Sequence, residues 1–544
     1  MSMPLSTPVT RKRMLRSTHV FSHRQLSPSG IPSAGLTFTT ADDCVRLWGD
    51  VSYACVCNAT YCDDITPAEL ESLPSGQFRH YTSDIRHYRL WRTTEDFKAE
   101  ANNETSTAYF TLDLSKLYQE ILGFGGAMTD SAALNIANLS APAQELLLRS
   151  FFSSEGQEFS FIRTPMAASD FSVRHYVYDD VAGDVTLQNF SLVAEDLQFK
   201  IPYLKRAQEL SPGKIKIFTA PWNVPDWIKV KRGTTLGPIS EEFYQVWADY
   251  FVRFFEAYSE EGVDFWGLTP ENEPQFLNRG GWTPETMAPW VVNYLKPALD
   301  KAGFGHLKLM ICDDQRTNVP NWSENVSEDK TEGRRNFGGS RRAPITMWIN
   351  EQMRNISSGL AVHFYMDSVN NTDILDRVHQ DFPEKFILYT EACNGTGKPV
   401  VIGSWDRGEG YSSDIIQVLT HWGSGWVDWN LALNPDGGPN IEGIFVDAQV
   451  IVNSTSDEFY KQPIFYHLAH FAKFVPSGSR RADLTTEDGK GVEGVAFLTQ
   501  DGVAVIVLLN RSDSNLTVVI TDKEQRNVEV LVEKRTIHTI LYNN

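Results

Sequence analysis

Eight short apolar runs punctuate the middle of this chain, and longer amphipathic stretches separate them. Uninterrupted apolar strands that alternate with helices are typical of a parallel sheet covered on both faces. Eight such units predict a (β/α)8 TIM barrel, an α/β fold whose strand ends share one rim. The runs are Ile121–Gly125, Phe159–Pro165, Lys214–Ala220, Val263–Thr269, Leu307–Cys312, Gly359–Tyr365, Phe386–Thr390 and Gly425–Asn430.

The carboxyl-terminal region has a different pattern of short β-rich runs broken by turn residues. Such a pattern predicts an antiparallel β-sandwich. Two similar runs precede the barrel, so we expect the accessory sandwich to be built from both chain ends. The runs are Val495–Thr499, Val503–Leu509, Leu516–Thr521, Val528–Val532 and Thr536–Leu541, with Tyr88–Thr93 and Thr107–Leu112 before the barrel.

The composition narrows the class of protein. A chain of 544 residues is too long for one ordinary core, and its apolar fraction of 42% indicates folded domains. The formal net charge of −20 argues against nucleic acid as a partner, because nucleic-acid binding needs basic patches. The 14 tryptophans suit carbohydrate stacking, although we expect most of them to fill the core.

Four of the six cysteines crowd near the start of the chain. Their spacing matches no common zinc site, so we expect two disulfides, for which three pairings are possible. The other two cysteines lie in apolar runs and are expected to be free and buried. The first group is Cys44, Cys55, Cys57 and Cys62, and the second is Cys312 and Cys393.

Several features predict a secretory route. The chain carries an excess of Asn-x-Ser/Thr glycosylation sites, and its paired cysteines suit an oxidising compartment. Residues 1–40 lack both acidic residues and an apolar core, so no signal peptide is evident and we expect this segment to be disordered. No apolar run reaches 18 residues, so no transmembrane segment is expected.

Two glutamates carry the strongest functional signal. Glu273 follows the fourth predicted strand in Asn272-Glu273-Pro274, and Glu391 ends the seventh. Barrel enzymes place their chemistry at the carboxyl ends of the strands, and two carboxylates from different strands are what glycosidic bond cleavage needs. Other polar and aromatic residues at the same predicted rim complete a candidate sugar pocket: Asp170, Trp222, Asn272, Tyr365 and Trp429.

Longer motifs resemble the glucosylceramidase (acid β-glucosidase) family of clan A retaining glycoside hydrolases, from about residue 41 to the carboxyl terminus. The motifs are Cys55-Val-Cys-Asn-Ala-Thr-Tyr-Cys62, Gly123-Phe-Gly-Gly-Ala-Met-Thr-Asp130, Trp405-Asp-Arg-Gly408, Asp428-Trp-Asn-Leu-Ala-Leu-Asn-Pro-Asp-Gly-Gly-Pro-Asn440 and Phe459-Tyr-Lys-Gln-Pro-Ile-Phe-Tyr-His467.

The resemblance implies a retaining β-glucosidase that hydrolyses glucosylceramide to glucose and ceramide. Glu273 would be the acid/base and Glu391 the nucleophile, while Asp170, Trp222, Asn272 and Trp429 would hold the glucose. It also implies the local disulfides Cys44–Cys55 and Cys57–Cys62, a location at the membrane in the lysosomal lumen, and activation by a saposin-type protein and anionic lipids.

The same resemblance implies three domains after the disordered segment 1–40. Residues 41–67 and 431–462 would form a small disulfide-bonded β-sheet domain. Residues 68–118 and 479–544 would form the sandwich, and residues 119–430 and 463–478 the catalytic barrel.

Two other functions remain open at this point. The same fold could serve a hydrolase of β-linked polysaccharide, of the β-1,6-glucanase or xylanase type, or a sugar-binding protein without activity. Tyr365 is a candidate to hydrogen-bond Glu391 and keep it aimed. We find no metal-ligand pattern and expect no cofactor, since retaining hydrolysis needs neither.

Overall fold

A closed barrel of parallel strands forms the centre of the protein. The computed structural model describes residues 44–100, 107–232, 235–274, 280–319, 346–395 and 397–544, so the expected disorder of residues 1–40 lies outside it. Each of the eight predicted apolar runs overlaps a barrel strand, which confirms the predicted fold. The strands are Gly123–Ala127, Phe161–Met166, Lys216–Pro221, Gly267–Leu268, Lys308–Gln315, Gly359–His363, Phe386–Glu391 and Gly423–Asn430.

The first barrel strand needs its glycines for close packing. A Cβ on Gly125 would lie 2.1 Å from the carbonyl oxygen of Phe161 on the neighbouring strand. Because that distance is far below any van der Waals contact, only glycine allows the two strands to pair at this register. The glycines at the start of the motif Gly123–Asp130 are therefore a packing feature of the barrel.

Helices connect the barrel strands and cover them. The long helix Tyr244–Glu260 turns Trp247, Phe251 and Phe254 into the core at the helical spacing that the sequence shows. The described α-helices are Asp130–Ala137, Ala141–Phe152, Ile201–Leu210, Tyr244–Glu260, Pro284–Trp290, Lys296–Lys301, Thr346–Ile349, Glu351–Ile356, Asp373–Asp381, Trp405–Thr420 and Pro463–Ala472. None of the helices in these ranges has the length and apolar character needed to span a bilayer.

Nine strands from both ends of the chain pair into one continuous sheet around a separate apolar core. The strand expected at Tyr88–Thr93 begins only at Trp91, because Leu90 adopts a left-handed φ of 51° in the preceding turn. In order across the sheet, the strands are Asn527–Val532, Leu516–Asp522, Thr107–Glu120, Arg480–Asp488, Glu493–Leu498, Val503–Asn510, Thr536–Asn543, Gln77–Asp84 and Trp91–Asp96.

A smaller five-stranded sheet joins the start of the described chain to residues that follow the barrel strands. Its strands are Val45–Trp48, Tyr53–Asn58, Glu458–Lys461, Val450–Asn453 and Ala432–Leu433. The structure contains the disulfides Cys44–Cys55 and Cys57–Cys62. Of the other two cysteines, Cys312 is free and buried, whereas Cys393 is free but only partly buried because it faces a cavity.

Candidate active site

All seven residues that the sequence placed at the predicted rim line one cavity of about 370 Å³. The cavity lies at the carboxyl ends of the barrel strands, where parallel barrels present their loops. Its predicted lining residues are Asp170, Trp222, Asn272, Glu273, Tyr365, Glu391 and Trp429. The wall also includes Phe171, Asn223, Cys393, Glu442, Ile444 and Val446, among others.

The carboxylates of Glu273 and Glu391 face each other across this cavity. One oxygen of Glu273, one oxygen of Glu391 and one ring nitrogen of His363 all lie within 4.8 Å of one another. Retaining glycosidases hold their two carboxyl groups roughly 5–5.5 Å apart, whereas inverting enzymes leave roughly 6.5–9.5 Å for a water molecule. The separation therefore favours direct attack by one carboxylate on the sugar.

Glu391 is held from both of its oxygens and is only 6% exposed. Arg163 Nη1 donates to Oε2 at 2.6 Å, and the hydroxyl of Tyr365 donates to Oε1 at 2.8 Å. Burial raises the pKa of Tyr365 well above its ordinary value, so this phenol remains a donor. The contact between Tyr365 and Glu391 is the one that the sequence suggested.

Arg163 connects the nucleophile candidate to the rest of the site. Its Nη2 donates to Asn272 Oδ1 at 2.7 Å and to Asp313 Oδ2 at 2.9 Å, and its side chain is fully buried. Its guanidinium also lies 4.6 Å from the ring centre of Trp222. One planar cation thus fixes a carboxylate, an amide and an indole at the same time.

Glu273 occupies a strained backbone position five residues after the two-residue barrel strand Gly267–Leu268. Its φ is 44°, in the left-handed region that a glutamate rarely adopts, and its N–H donates to the carbonyl of Asp313 at 3.0 Å. Gln315 Nε2 donates to its Oε1 at 3.0 Å. With 16% of its side chain exposed, Glu273 is the more accessible of the two carboxylates.

His363 lies between the two glutamates and is buried. Its Nδ1 is 3.4 Å from Glu273 Oε1 and 3.9 Å from Glu391 Oε1, while Nε2 is 3.2 Å from Asp313 Oδ1. Burial alone would lower the pKa of His363, but the negative charge of Glu391 and contacts with Asp313 and Glu273 raise it to about 10. The ring is therefore an imidazolium at neutral and acidic pH.

Asp313 supplies the opposite charge beneath His363 and Arg163. Burial alone would raise the pKa of Asp313, but the charge of Arg163 and hydrogen bonds from His363 and Thr269 hold it well below the ordinary value. Thr269 and Thr390 donate to its two oxygens at 2.6 and 2.7 Å. Asp313 is thus a permanent anion that balances two cations.

Two indoles form an aromatic wall beside the carboxylates. The rings of Trp222 and Trp429 stack with centroids 5.0 Å apart and planes 17° from parallel. Both side chains are nearly buried, and both border the cavity. Asp170 lies on the loop after the second barrel strand, and its carbonyl accepts the N–H of Ile441 at 2.9 Å.

Sequence reasoning missed the residues beneath the cavity. Arg163 is a lone cation inside a predicted apolar strand, and Asp313 follows the last residue of another. A charge in a buried strand demands a partner, so both positions carried a usable signal. Gln315 left no such signal, because a glutamine at a strand end is common on any surface.

Comparisons with known proteins agree with this geometry. A model of the glycosyl hydrolase family 30 TIM-barrel domain matches residues 121–340 and 344–475, and a model of the β-sandwich domain of the same family matches residues 478–540. Over 520 residues the chain is 41% identical to a Mus musculus protein named lysosomal acid glucosylceramidase, covering 92% of this chain and 96% of that protein.

Two further matches are a second sequence relative and a solved structure. Over 518 residues the chain is 38% identical to a Caenorhabditis elegans protein named putative glucosylceramidase 4, with 92% of this chain and 95% of that protein covered. A solved structure titled endo-β1,6-glucanase BT3312 superposes with a TM-score of 0.72 at 26% identity and covers 86% of this chain and all of that chain.

Proposed function

Because this chain belongs to glycosyl hydrolase family 30, we propose that it is a retaining β-glucosidase that hydrolyses glucosylceramide to glucose and ceramide. The chain is a glycoside hydrolase. The short distance between the carboxylates of Glu273 and Glu391 is the observation that carries the retaining mechanism. The similarity to proteins named glucosylceramidase supports the choice of substrate.

In the first step Glu391 attacks the anomeric carbon while Glu273 gives its proton to the leaving ceramide oxygen. A bond forms between a Glu391 oxygen and the anomeric carbon, the bond from that carbon to the ceramide oxygen breaks, and ceramide leaves as an alcohol. Glu273 is then a carboxylate. In the second step it takes a proton from water, which attacks the same carbon and frees Glu391 and glucose.

His363 accounts for the movement of charge between the two carboxylates. Negative charge rests on Glu391 before the first step and on Glu273 after it. The imidazolium nitrogen lies within 4 Å of an oxygen of each, at 3.9 and 3.4 Å, so it stabilises either state without moving. Its own bond to Asp313 keeps the ring in place.

The remaining cavity residues bind the sugar in this proposal. Arg163 uses Asn272 Oδ1, so the donor that Asn272 offers to the 2-hydroxyl is its Nδ2. Trp222 and Trp429 provide apolar faces for the ring, and the carboxylate of Asp170 accepts hydrogen bonds from hydroxyls.

An apolar rim supports a lipid aglycone. Ile444, which lines the cavity, is 52% exposed, and its neighbour Phe445 is 41% exposed. Exposed apolar residues beside a polar pocket suit a substrate with a sugar head and a hydrocarbon tail. We further propose that the enzyme works in the lysosome, at an anionic lipid surface with a saposin-type activator, as the resemblance implies.

The β-1,6-glucanase activity is the second candidate, since the structure superposes on an enzyme with that title. An endo-acting enzyme needs an open groove for several sugars, whereas a glucosylceramidase needs a one-sugar pocket beside an apolar surface. Activity on glucosylceramide in detergent or lipid, with none on β-1,6-glucan, would support the first proposal. The reverse result would establish the second.

Substitution of the two carboxylates tests the mechanism. We expect Glu391→Gln to abolish hydrolysis and Glu273→Gln to lose glucosylceramide hydrolysis. Glu273→Gln should still form the glucosyl-enzyme from glucosides with good leaving groups, because their first step needs no protonation, but it should release glucose slowly because the second step lacks its base. Glu442→Gln is a matched control, because Glu442 also lines the cavity but is exposed. A fluorinated glucoside should leave a glucosyl adduct on Glu391, and an adduct on another residue would refute the assignment.

A further inference from the structure

We propose that a buried network centred on Lys200 positions the loop that carries Asp170, and thereby controls how strictly the enzyme recognises sugar hydroxyls. The inference rests on the proposed function, which gives Asp170 its contact with the sugar. Lys200, Asp130, Asp196 and Tyr178 lie behind the cavity wall, and none of these side chains lines the cavity. They would act as positioning residues through hydrogen bonds to the loop 167–172.

The first end of the loop is attached through Tyr178. Ala167 adopts a φ of 69°, a left-handed conformation that alanine does not favour, so the surroundings must hold it. Its N–H donates to the hydroxyl of Tyr178 at 3.0 Å, and that hydroxyl donates to Asp196 Oδ1 at 2.9 Å. The strained residue is therefore tied to a buried carboxylate through one phenol.

The second end of the loop is attached through Ser172. The N–H of Ser169 donates to Ser172 Oγ at 3.0 Å, and that hydroxyl donates to Asp130 Oδ2 at 2.6 Å. Asp170 lies between these two attachments. Both sides of its position thus depend on a carboxylate that lies outside the cavity.

Lys200 joins the two carboxylates. Its Nζ lies 3.0 Å from Asp130 Oδ1 and 3.0 Å from Asp196 Oδ1, and its side chain is fully buried. Burial alone would lower the pKa of Lys200, but the charges of Asp130 and Asp196 raise it above its ordinary value, so the amine remains charged. One ammonium therefore fixes the separation of the two anions and, through them, of the two loop attachments.

The chain offers a matched pair of variants to test this role. Tyr178 and Tyr258 are both buried, and the hydroxyl of each donates to Asp196 Oδ1, at 2.9 and 2.5 Å. Only the hydroxyl of Tyr178 also accepts the N–H of Ala167. Tyr178→Phe and Tyr258→Phe thus remove the same chemical group from the same carboxylate, and only the first disconnects the loop.

The measurement is kcat/KM for p-nitrophenyl β-glucoside relative to its 3-, 4- and 6-deoxy analogues. In Asp170→Asn, the preference for the glucoside over one deoxy analogue should fall. The position of that analogue identifies the hydroxyl that Asp170 binds. Tyr178→Phe should reduce discrimination at that same position by roughly two- to tenfold, the effect of one net hydrogen bond. Tyr258→Phe should leave the ratio unchanged, even if it lowers the melting temperature equally.

Equal effects of the two tyrosine variants, or no effect of either, would overturn the proposal. If Tyr178→Phe does not fold, Ser172→Ala replaces it, with Tyr176→Phe as control because Tyr176 also donates to Asp130 Oδ2, at 2.8 Å. Unchanged ratios in Asp170→Asn would overturn the positioning role while the hydrolase mechanism stands. Full activity of Glu391→Gln would instead refute the proposed function itself.

Discussion

Replacement of Arg163 by lysine should damage catalysis far more than folding. Arginine places two nitrogens so that Nη1 reaches Glu391 while Nη2 reaches both Asn272 and Asp313, at 2.6 to 2.9 Å. Lysine keeps the positive charge, so no buried carboxylate loses its counter-ion, but its single nitrogen cannot occupy both places. We expect it to retain one of the three hydrogen bonds.

Each hydrogen bond to a charged group is worth about 1.5–3 kcal/mol, so the loss of two costs about 3–6 kcal/mol. If the loss falls on the transition state, in which Glu391 and Asn272 both act on the sugar, kcat/KM should drop by roughly 10² to 10⁴. The assay is steady-state hydrolysis of p-nitrophenyl β-glucoside at acidic pH, together with thermal unfolding of the same samples.

Arg316→Lys is the matched control. The side chain of Arg316 is also fully buried in the barrel, and it donates to Tyr389, Asn371 and Gln417 at 2.6, 2.9 and 2.9 Å. We expect a comparable loss of stability and a much smaller loss of activity. A folded Arg163→Lys enzyme with less than a tenfold loss, or equal losses in both variants, would refute the reasoning.

Three further predictions concern single groups. Tyr365→Phe removes a donor at 2.8 Å from Glu391, so the rate of glucosyl-enzyme formation should fall roughly tenfold in burst kinetics, and an unchanged burst would contradict this. Burial holds the pKa of His470 well below 6.5, so below that pH the unfolded chain binds a proton at this residue and the folded chain does not. Stability therefore falls as the pH drops below 6.5. At about 1.4 kcal/mol per pH unit, His470→Gln should therefore reduce the loss of unfolding free energy between pH 7 and 5 by at most about 2 kcal/mol. Ser83→Ala removes a hydrogen-bond partner of both His470 and the N–H of Leu90 but keeps the imidazole, so it should lower stability at both pH values and preserve the pH-dependent loss. Finally, Asn510 is buried and donates to backbone carbonyls, so mass spectrometry should find no glycan there despite its Asn-x-Ser sequence.

Periodicity predicted the barrel because each of its strands overlaps a mainly apolar run of the sequence. The strand Gln77–Asp84 gave no such signal, since it contains Arg79 and His80, which are buried yet polar. Arg79 donates to the carbonyl of Ala68, and His80 meets His538 at 2.8 Å from the other end of the chain. These hydrogen bonds allow the polar side chains to be buried. A partner 458 residues away cannot be predicted from the local sequence pattern.

The candidate site divides in the same way. Glu273 and Glu391 could be predicted because each follows its own apolar run, and Tyr365 because it ends another. The sequence could not show that Arg163 and Asp313 share a salt bridge beneath them, because that pairing depends on the register of the closed barrel. The position of a residue at a strand end can be predicted from the local sequence, whereas a salt bridge between two strands depends on the tertiary structure.

The five-stranded sheet has a consequence for biosynthesis. Asn58 pairs with Glu458, so the first hairpin of the described chain gains its neighbouring strand only after every barrel strand has left the ribosome. Until then one edge of Tyr53–Asn58 has unpaired backbone groups, which can template aggregation. The two disulfides join cysteines only 11 and 5 residues apart, so they can form early and stabilise this hairpin before its partner strand is synthesised.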